Sequence, residues 1–142
     1  MSQEFVLDCS LAMAWFFQGE ATLATDALLD LLNQEGAVVV AQHWPLEVAN
    51  TLLMGERRQR CTQADVAHFL NILGALHIEI DKSTGTNATR VTLDLARSQG
   101  LTIYDAAYLE LAMRRQLPLA SLDKALRSAA TKVGVSCLPA AL

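Results

Sequence analysis

The stretch EFVLDCSLAMAWFF, Glu4 to Phe17, decides how the rest of the chain is read. It is apolar almost throughout, which raises the question of a membrane span. It is too short to cross a bilayer, Asp8 interrupts it, and no basic segment precedes it. A short buried strand that ends at Asp8 and runs into a helix over about Ser10–Phe17 accounts for it better. With neither a signal peptide nor an anchor in view, the expected location is the cytoplasm.

Composition supports a single globular domain spanning 1–142. Apolar residues make up 52% and charged residues 18%, which excludes disorder and implies a large interior. The 3 prolines and 7 glycines are scattered, so no linker divides the chain. The net charge of −4 argues against a protein that coats nucleic acid through bulk positive charge. Cys9, Cys61 and Cys137 form no C-x-x-C pair and read as buried free thiols. His43, His68 and His77 lack the spacing of a histidine metal site.

Further along, AVVVA (Ala37–Ala41) is β-branched and follows Gly36, which marks a second buried strand. Pro45 suits the first turn of a helix that runs to about Arg60. Thr62, with Asp65 three residues on, opens another helix that extends to Leu73. LHIEI (Leu76–Ile80) alternates as a third strand. Helices are expected over Glu20–Gln34, Thr84–Gln99, Ile103–Gln116 and Asp123–Lys132, with short strands at Pro118–Ala120 and in GVSCL (Gly134–Leu138). Short apolar strands alternating with helices predict an α/β fold whose mostly parallel sheet is covered on both faces.

Most of the 15 acidic residues fall on solvated helix faces. Four do not. Asp8 ends the first strand, Glu47 lies in the first turn after the second, Asp105 opens a helix, and Asp123 follows the strand PLA. In an open parallel sheet, ligands bind beyond the carboxyl ends of the strands, and chain position alone puts three of these acids there. Each has an ordinary explanation. Asp105 can complete a capping box with Thr102, Asp123 can cap its helix, and Glu47 can complement a helix dipole. Asp8 has the weakest such explanation, because a strand end inside an apolar run needs no acid. Four converging carboxylates repel one another unless a cation joins them. An all-oxygen donor set suits Mg²⁺ or Mn²⁺ rather than zinc. The chemistry indicated is metal-assisted hydrolysis of a phosphodiester.

The order, spacing and apolar frames of VLDCSLAMAWF, PLEVANTL, LTIYDAAYLELA and LPLASLDKALRSAA resemble those of the PIN-domain nucleases. Within that family they resemble the VapC-like toxins of toxin–antitoxin pairs. The resemblance covers nearly the whole chain. It implies a three-layer α/β/α domain with four or five short strands and endonucleolytic cleavage of RNA. It also implies a Mg²⁺ (or Mn²⁺) site with Asp8 and Asp105 as core ligands. Glu47 and Asp123 would be further ligands or holders of metal-bound water. Ser10 and Ser121 match hydroxyl positions beside the site, and Asn50, on the Glu47 face of its helix, is placed either to orient that acid or to make a plain helix-packing polar contact. A homodimer and a cognate antitoxin are implied as partners, and no membrane.

Several features stand outside this pattern. GERRQR (Gly55–Arg60) and MRR (Met113–Arg115) either meet phosphates or an acidic partner, or complement helix ends, and the latter is favoured. Lys124 and Arg127 are better phosphate candidates by position. Trp15, Phe16 and Phe17 belong to the core or a dimer contact. Glu110 lies about 140° around its helix from Asp105 and is not expected to join the acids. Two rival readings are a non-catalytic RNA- or protein-binding module of the same fold and, more distantly, a phosphoacceptor domain using Asp81.

Overall fold

The structure is a computed structural model that describes residues 3–142. Five parallel strands form one sheet in the order β3-β2-β1-β4-β5: β1 Glu4–Leu7, β2 Ala37–Val40, β3 Ile78–Ile80, β4 Leu119–Ala120 and β5 Cys137–Leu138. Phe5, Val6 and Leu7 are buried, as are Val38, Val39 and Val40, which is why these strands read as continuous apolar runs instead of alternating ones. The helices are α1 Cys9–Ala14, α2 Leu23–Gln34, α3 Trp44–Arg57, α4 Gln63–Gly74, α5 Thr84–Asn87, α6 Leu93–Gln99, α7 Ile103–Arg115 and α8 Lys124–Lys132. Together with the sheet they make a three-layer α/β/α domain. Among the described residues no helix is long and apolar enough to cross a membrane.

The most buried helix is α7, in which every residue from Ala106 to Ala112 is removed from solvent. Its small alanines let it lie close against the sheet. Because α7 opens at the carboxyl edge of the strands, its first turn is held rigidly there. That edge is aligned by backbone bonds: Asp8 N–H donates to Ala120 O (3.2 Å), Asp81 N–H to Val40 O (2.8 Å) and Ser121 N–H to Leu138 O (3.1 Å).

Several boundaries differ from the sequence expectation. The first helix stops at Ala14, because the three aromatics after it turn inward. Trp15 Nε1 donates to Thr25 O (2.8 Å), and Phe16 packs on Phe17 and Phe69. Glu20 ends a separate 3₁₀ turn, and α2 starts only after Thr22, whose side chain exchanges capping bonds with Thr25. The helix expected over Thr84–Gln99 is broken by a π-type turn at Ala88–Thr92, with Arg90 at φ −123°, ψ −106°. The adjoining β-branched Val91 and Thr92 are poor at holding helical geometry through such a turn. The last strand shrinks to two residues. The cysteines are free thiols but half-buried, so that part of the expectation is corrected.

Candidate active site

Asp8 is 3% exposed and caps α1, its Oδ1 accepting the Leu11 N–H at 3.0 Å. It therefore does have a structural task, contrary to the expectation that a strand end would need no acid. Two hydroxyls hold it as well. Ser10 Oγ donates to both carboxylate oxygens (2.8 and 2.9 Å), and Ser121 Oγ donates to Oδ2 (2.5 Å). Each serine also accepts a backbone N–H, Ser10 from Leu122 (2.9 Å) and Ser121 from Asp123 (3.0 Å). The pair thus ties the end of β1 to the loop after β4. Burial pushes the Asp8 carboxyl up to about 6 despite these bonds, and the negative charge of Asp105 adds to the rise.

Asp105 answers the capping question differently. Thr102 Oγ1 accepts the Asp105 backbone N–H (3.2 Å), but α7 lacks the reciprocal bond that completes the capping boxes of α2 and α4. Its carboxylate is half-buried and feels the charges of Asp123 and Glu47. Burial raises its pKa, and the charges of Asp123 and Glu47 raise it further, against a smaller opposing pull from His43. Asp123 caps α8 with one oxygen, Oδ1, which accepts the Leu126 N–H at 2.8 Å. Glu47, in the first turn of α3, accepts a short hydrogen bond from the Tyr108 hydroxyl. His43 Nε2 lies 3.5 Å from the same oxygen and 3.1 Å from the Tyr104 carbonyl. Both neighbours are acceptors, so the proton sits on Nε2.

A second set of acids is arranged in the opposite way. Asp81 and Glu110 are 3% and 4% exposed, and Arg114 bridges them with four short bonds: Nη1 and Nη2 to Asp81 (3.0 and 2.8 Å), Nε and Nη2 to Glu110 (2.8 and 3.0 Å). Burial alone would raise Asp81, but Arg114 and the Thr84 hydroxyl hold its carboxyl below the usual range. Glu110 thus stays out of the acidic cluster, as expected. Asp81 does too, being spent on a structural ion pair and unsuited to accept a phosphoryl group. By contrast, among the described residues no lysine or arginine pairs with Asp8, Glu47, Asp105 or Asp123.

These acids fit a hard divalent cation by donor chemistry and by uncompensated charge. Among the described residues no three His, Cys, Asp or Glu side chains stand close enough to grip one ion directly. Mg²⁺ usually binds through one or two carboxylates and keeps several waters, so a site for it does not require three side chains in direct contact.

The basic residues need correction. Arg127 donates to the carbonyls of Ser121 (3.0 Å), Leu138 (3.3 Å) and Pro139 (2.7 Å), so it braces the loops beneath Asp123 instead of standing free for phosphate. Arg115 pairs with Glu79. Lys124 remains exposed at the start of α8. Asn50 is exposed and makes no side-chain hydrogen bond among the described residues, so it does not orient Glu47. The side chains that do stand against Glu47 are Tyr108, which donates to it, and His43, 3.5 Å away, and sequence reasoning missed both. The available signals were spacing: Tyr108 lies three residues after Asp105, and His43 four before Glu47.

Comparison with known proteins bears on the fold. A crystal structure of PAE2754 from Pyrobaculum aerophilum superposes with a TM-score of 0.66 at 22% identity, covering 91% of this chain and 87% of the other. VapBC2 from Rickettsia felis, solved bound to a DNA fragment from its promoter, gives a TM-score of 0.59 at 13% identity over 85% and 88%. At such identities the likeness is one of fold. No curated protein matches the sequence. The PIN domain model matches residues 5–132. By that match, and by the sheet, the chain belongs to the PIN domain family.

Proposed function

We propose that this chain is a Mg²⁺- or Mn²⁺-dependent endoribonuclease acting as the toxin of a toxin–antitoxin pair, with Asp8, Glu47, Asp105 and Asp123 as its site. The observation that carries the reading is the contrast in charge compensation. Buried Asp81 and Glu110 share an arginine, whereas Asp8, Glu47, Asp105 and Asp123 have no lysine or arginine partner among the described residues, and His43 is the one basic side chain beside them. Leaving such acids together is costly unless a cation joins them in the working state. PIN family membership supports nuclease chemistry. The toxin role rests on the sequence resemblance to VapC-like proteins, in keeping with the fold likeness to VapBC2.

A divalent cation bound here supplies a water of lowered pKa and offsets charge on the phosphoryl oxygens. The chain's own residues do the positioning. Ser10 and Ser121 prevent Asp8 from rotating. Asp105, with its backbone N–H capped and its carboxylate unbonded to the Thr102 amide, is available as a ligand. Asp123 spends one oxygen on α8 and keeps the other. Lys124 is the exposed cation nearest in sequence for an RNA phosphate. As a toxin of this kind the chain pairs with an antitoxin that blocks the site and works as a homodimer in the cytoplasm.

The test is RNA cleavage by purified Asp105→Asn with Mg²⁺ present. We expect activity to fall by more than about 100-fold, the upper range seen when merely an outer partner of a metal ligand is lost. The circular dichroism spectrum should be unchanged. Full activity in the variant would overturn the reading and favour the non-catalytic binding module. Growth arrest on expression, relieved by the protein of a neighbouring gene, tests the toxin role.

A further inference from the structure

We propose that Tyr108 is a positioning residue for the acidic site: its buried hydroxyl, donated to Glu47 Oε1, pins that carboxylate and so sets how tightly the site holds a divalent cation. The inference rests on the metal-dependent reading above and adds a residue that none of the sequence motifs singled out.

Tyr108 is 1% exposed and sits on α7 one turn after Asp105, so one rigid helix delivers both the acid and the hydroxyl. A buried tyrosine hydroxyl needs a partner, and a phenylalanine would fill the same apolar space without that demand. Its partner here is neither a backbone carbonyl nor a neighbour on the helix, but a carboxylate 61 residues away. A phenol hydroxyl beside a carboxylate oxygen can only be the donor of the pair.

The His43 ring packs on Tyr108 with centroids 4.9 Å apart, and its Nε2–H approaches the same Glu47 oxygen. The hydrogen bond of Nε2 goes to the Tyr104 carbonyl, so Tyr108 is the donor to Oε1, and among the described residues Oε2 has no protein hydrogen bond. Of the four acids, Glu47 has the longest side chain and is one-third exposed. Asp8 and Asp123 are held by α1 and α8, which they cap, but a glutamate in a first turn has no such restraint. Unpinned, it would have to lose its rotamer freedom at the moment of binding an ion. With Oε1 held, that ordering is already complete. Outer-shell bonds of this kind typically change metal affinity by about 10- to 100-fold.

The experiment titrates Mn²⁺ into wild type, Tyr108→Phe, Glu47→Gln and the double variant, reading free Mn²⁺ by its electron paramagnetic resonance signal. Tyr108→Phe is expected to bind Mn²⁺ about 10- to 100-fold more weakly than wild type. In the Glu47→Gln background the same change should cause no further loss, because the hydroxyl acts through Glu47. Equal binding by wild type and Tyr108→Phe overturns this inference alone, as does an undiminished loss in the Glu47→Gln background. Wild-type protein that binds no Mn²⁺ overturns the metal reading and this inference with it. If Tyr108→Phe does not fold, Glu47→Asp withdraws the carboxylate from the hydroxyl while keeping its charge. It should show the same loss, and unchanged binding by Glu47→Asp overturns the inference.

Discussion

Replacing Asp8 by asparagine should make the metal-free protein more stable at neutral pH, and the size of the gain follows from the burial of the carboxylate. The Asp8 carboxyl rises from an ordinary 3.8 to about 6 in the folded state. About two tenfold steps in acidity at ~1.4 kcal/mol each give about 3 kcal/mol. The folded protein keeps a proton that the unfolded chain gives up. Stability from this group is therefore fully present below pH 3.8 and is lost as the pH rises towards about 6. Above that, wild type carries the whole penalty and Asp8→Asn carries none. Asparagine can still accept the Leu11 N–H, so the α1 cap survives. Asp81, Glu79 and Asp65, whose pKa values are lowered, act in the opposite sense at acid pH, but they are common to both proteins and cancel in the difference. The assay is urea unfolding of both proteins in EDTA, from about pH 4 to pH 8. The variant's advantage should grow with pH and level off near ~3 kcal/mol above pH 6. A difference that stays constant with pH, or that favours wild type as the pH rises, would refute the argument.

Other perturbations probe separate parts of the molecule. Mn²⁺ at about 100 times its dissociation constant should stabilise wild type by about 2.7 kcal/mol and leave Asp105→Asn unshifted, as read by thermal unfolding. Arg114→Ala strands Asp81 and Glu110 without a counter-charge, so the urea midpoint should fall by the equivalent of about 3 kcal/mol. An unchanged midpoint would show that water replaces the guanidinium freely. Gly36→Ala should destabilise by about 1–3 kcal/mol, because its Cβ would stand 2.8 Å from the Leu31 carbonyl oxygen. That oxygen is held as the acceptor of the Gly36 N–H (2.9 Å), so it cannot move aside cheaply.

The alternation of strands and helices was legible because it depends on local hydrophobic pattern. EFVL and AVVV read as buried strands and are strands, and Pro45, Thr62 and Thr102 mark helix starts that the structure retains. Where the pattern is locally ambiguous, reading failed. The π-type turn at Arg90 interrupts a stretch whose pattern reads as one helix, and the end of α1 depends on where three aromatics find their core. The charged residues show the same divide. Arg127 and Lys124 look alike on one helix face, yet one is consumed by three carbonyls and the other is exposed.

By itself, then, the sequence determined the α/β class and the positions of Asp8, Glu47, Asp105 and Asp123 at or beside strand ends and helix starts. These are consequences of residue type and spacing along a few turns of chain. Only the tertiary structure decided which acids are compensated and which are not. Arg114 reaches Asp81 across 33 residues, and Tyr108 reaches Glu47 across 61. Such pairings are made by the order in which the strands stack and by the single helix lying across them, and no local pattern encodes either.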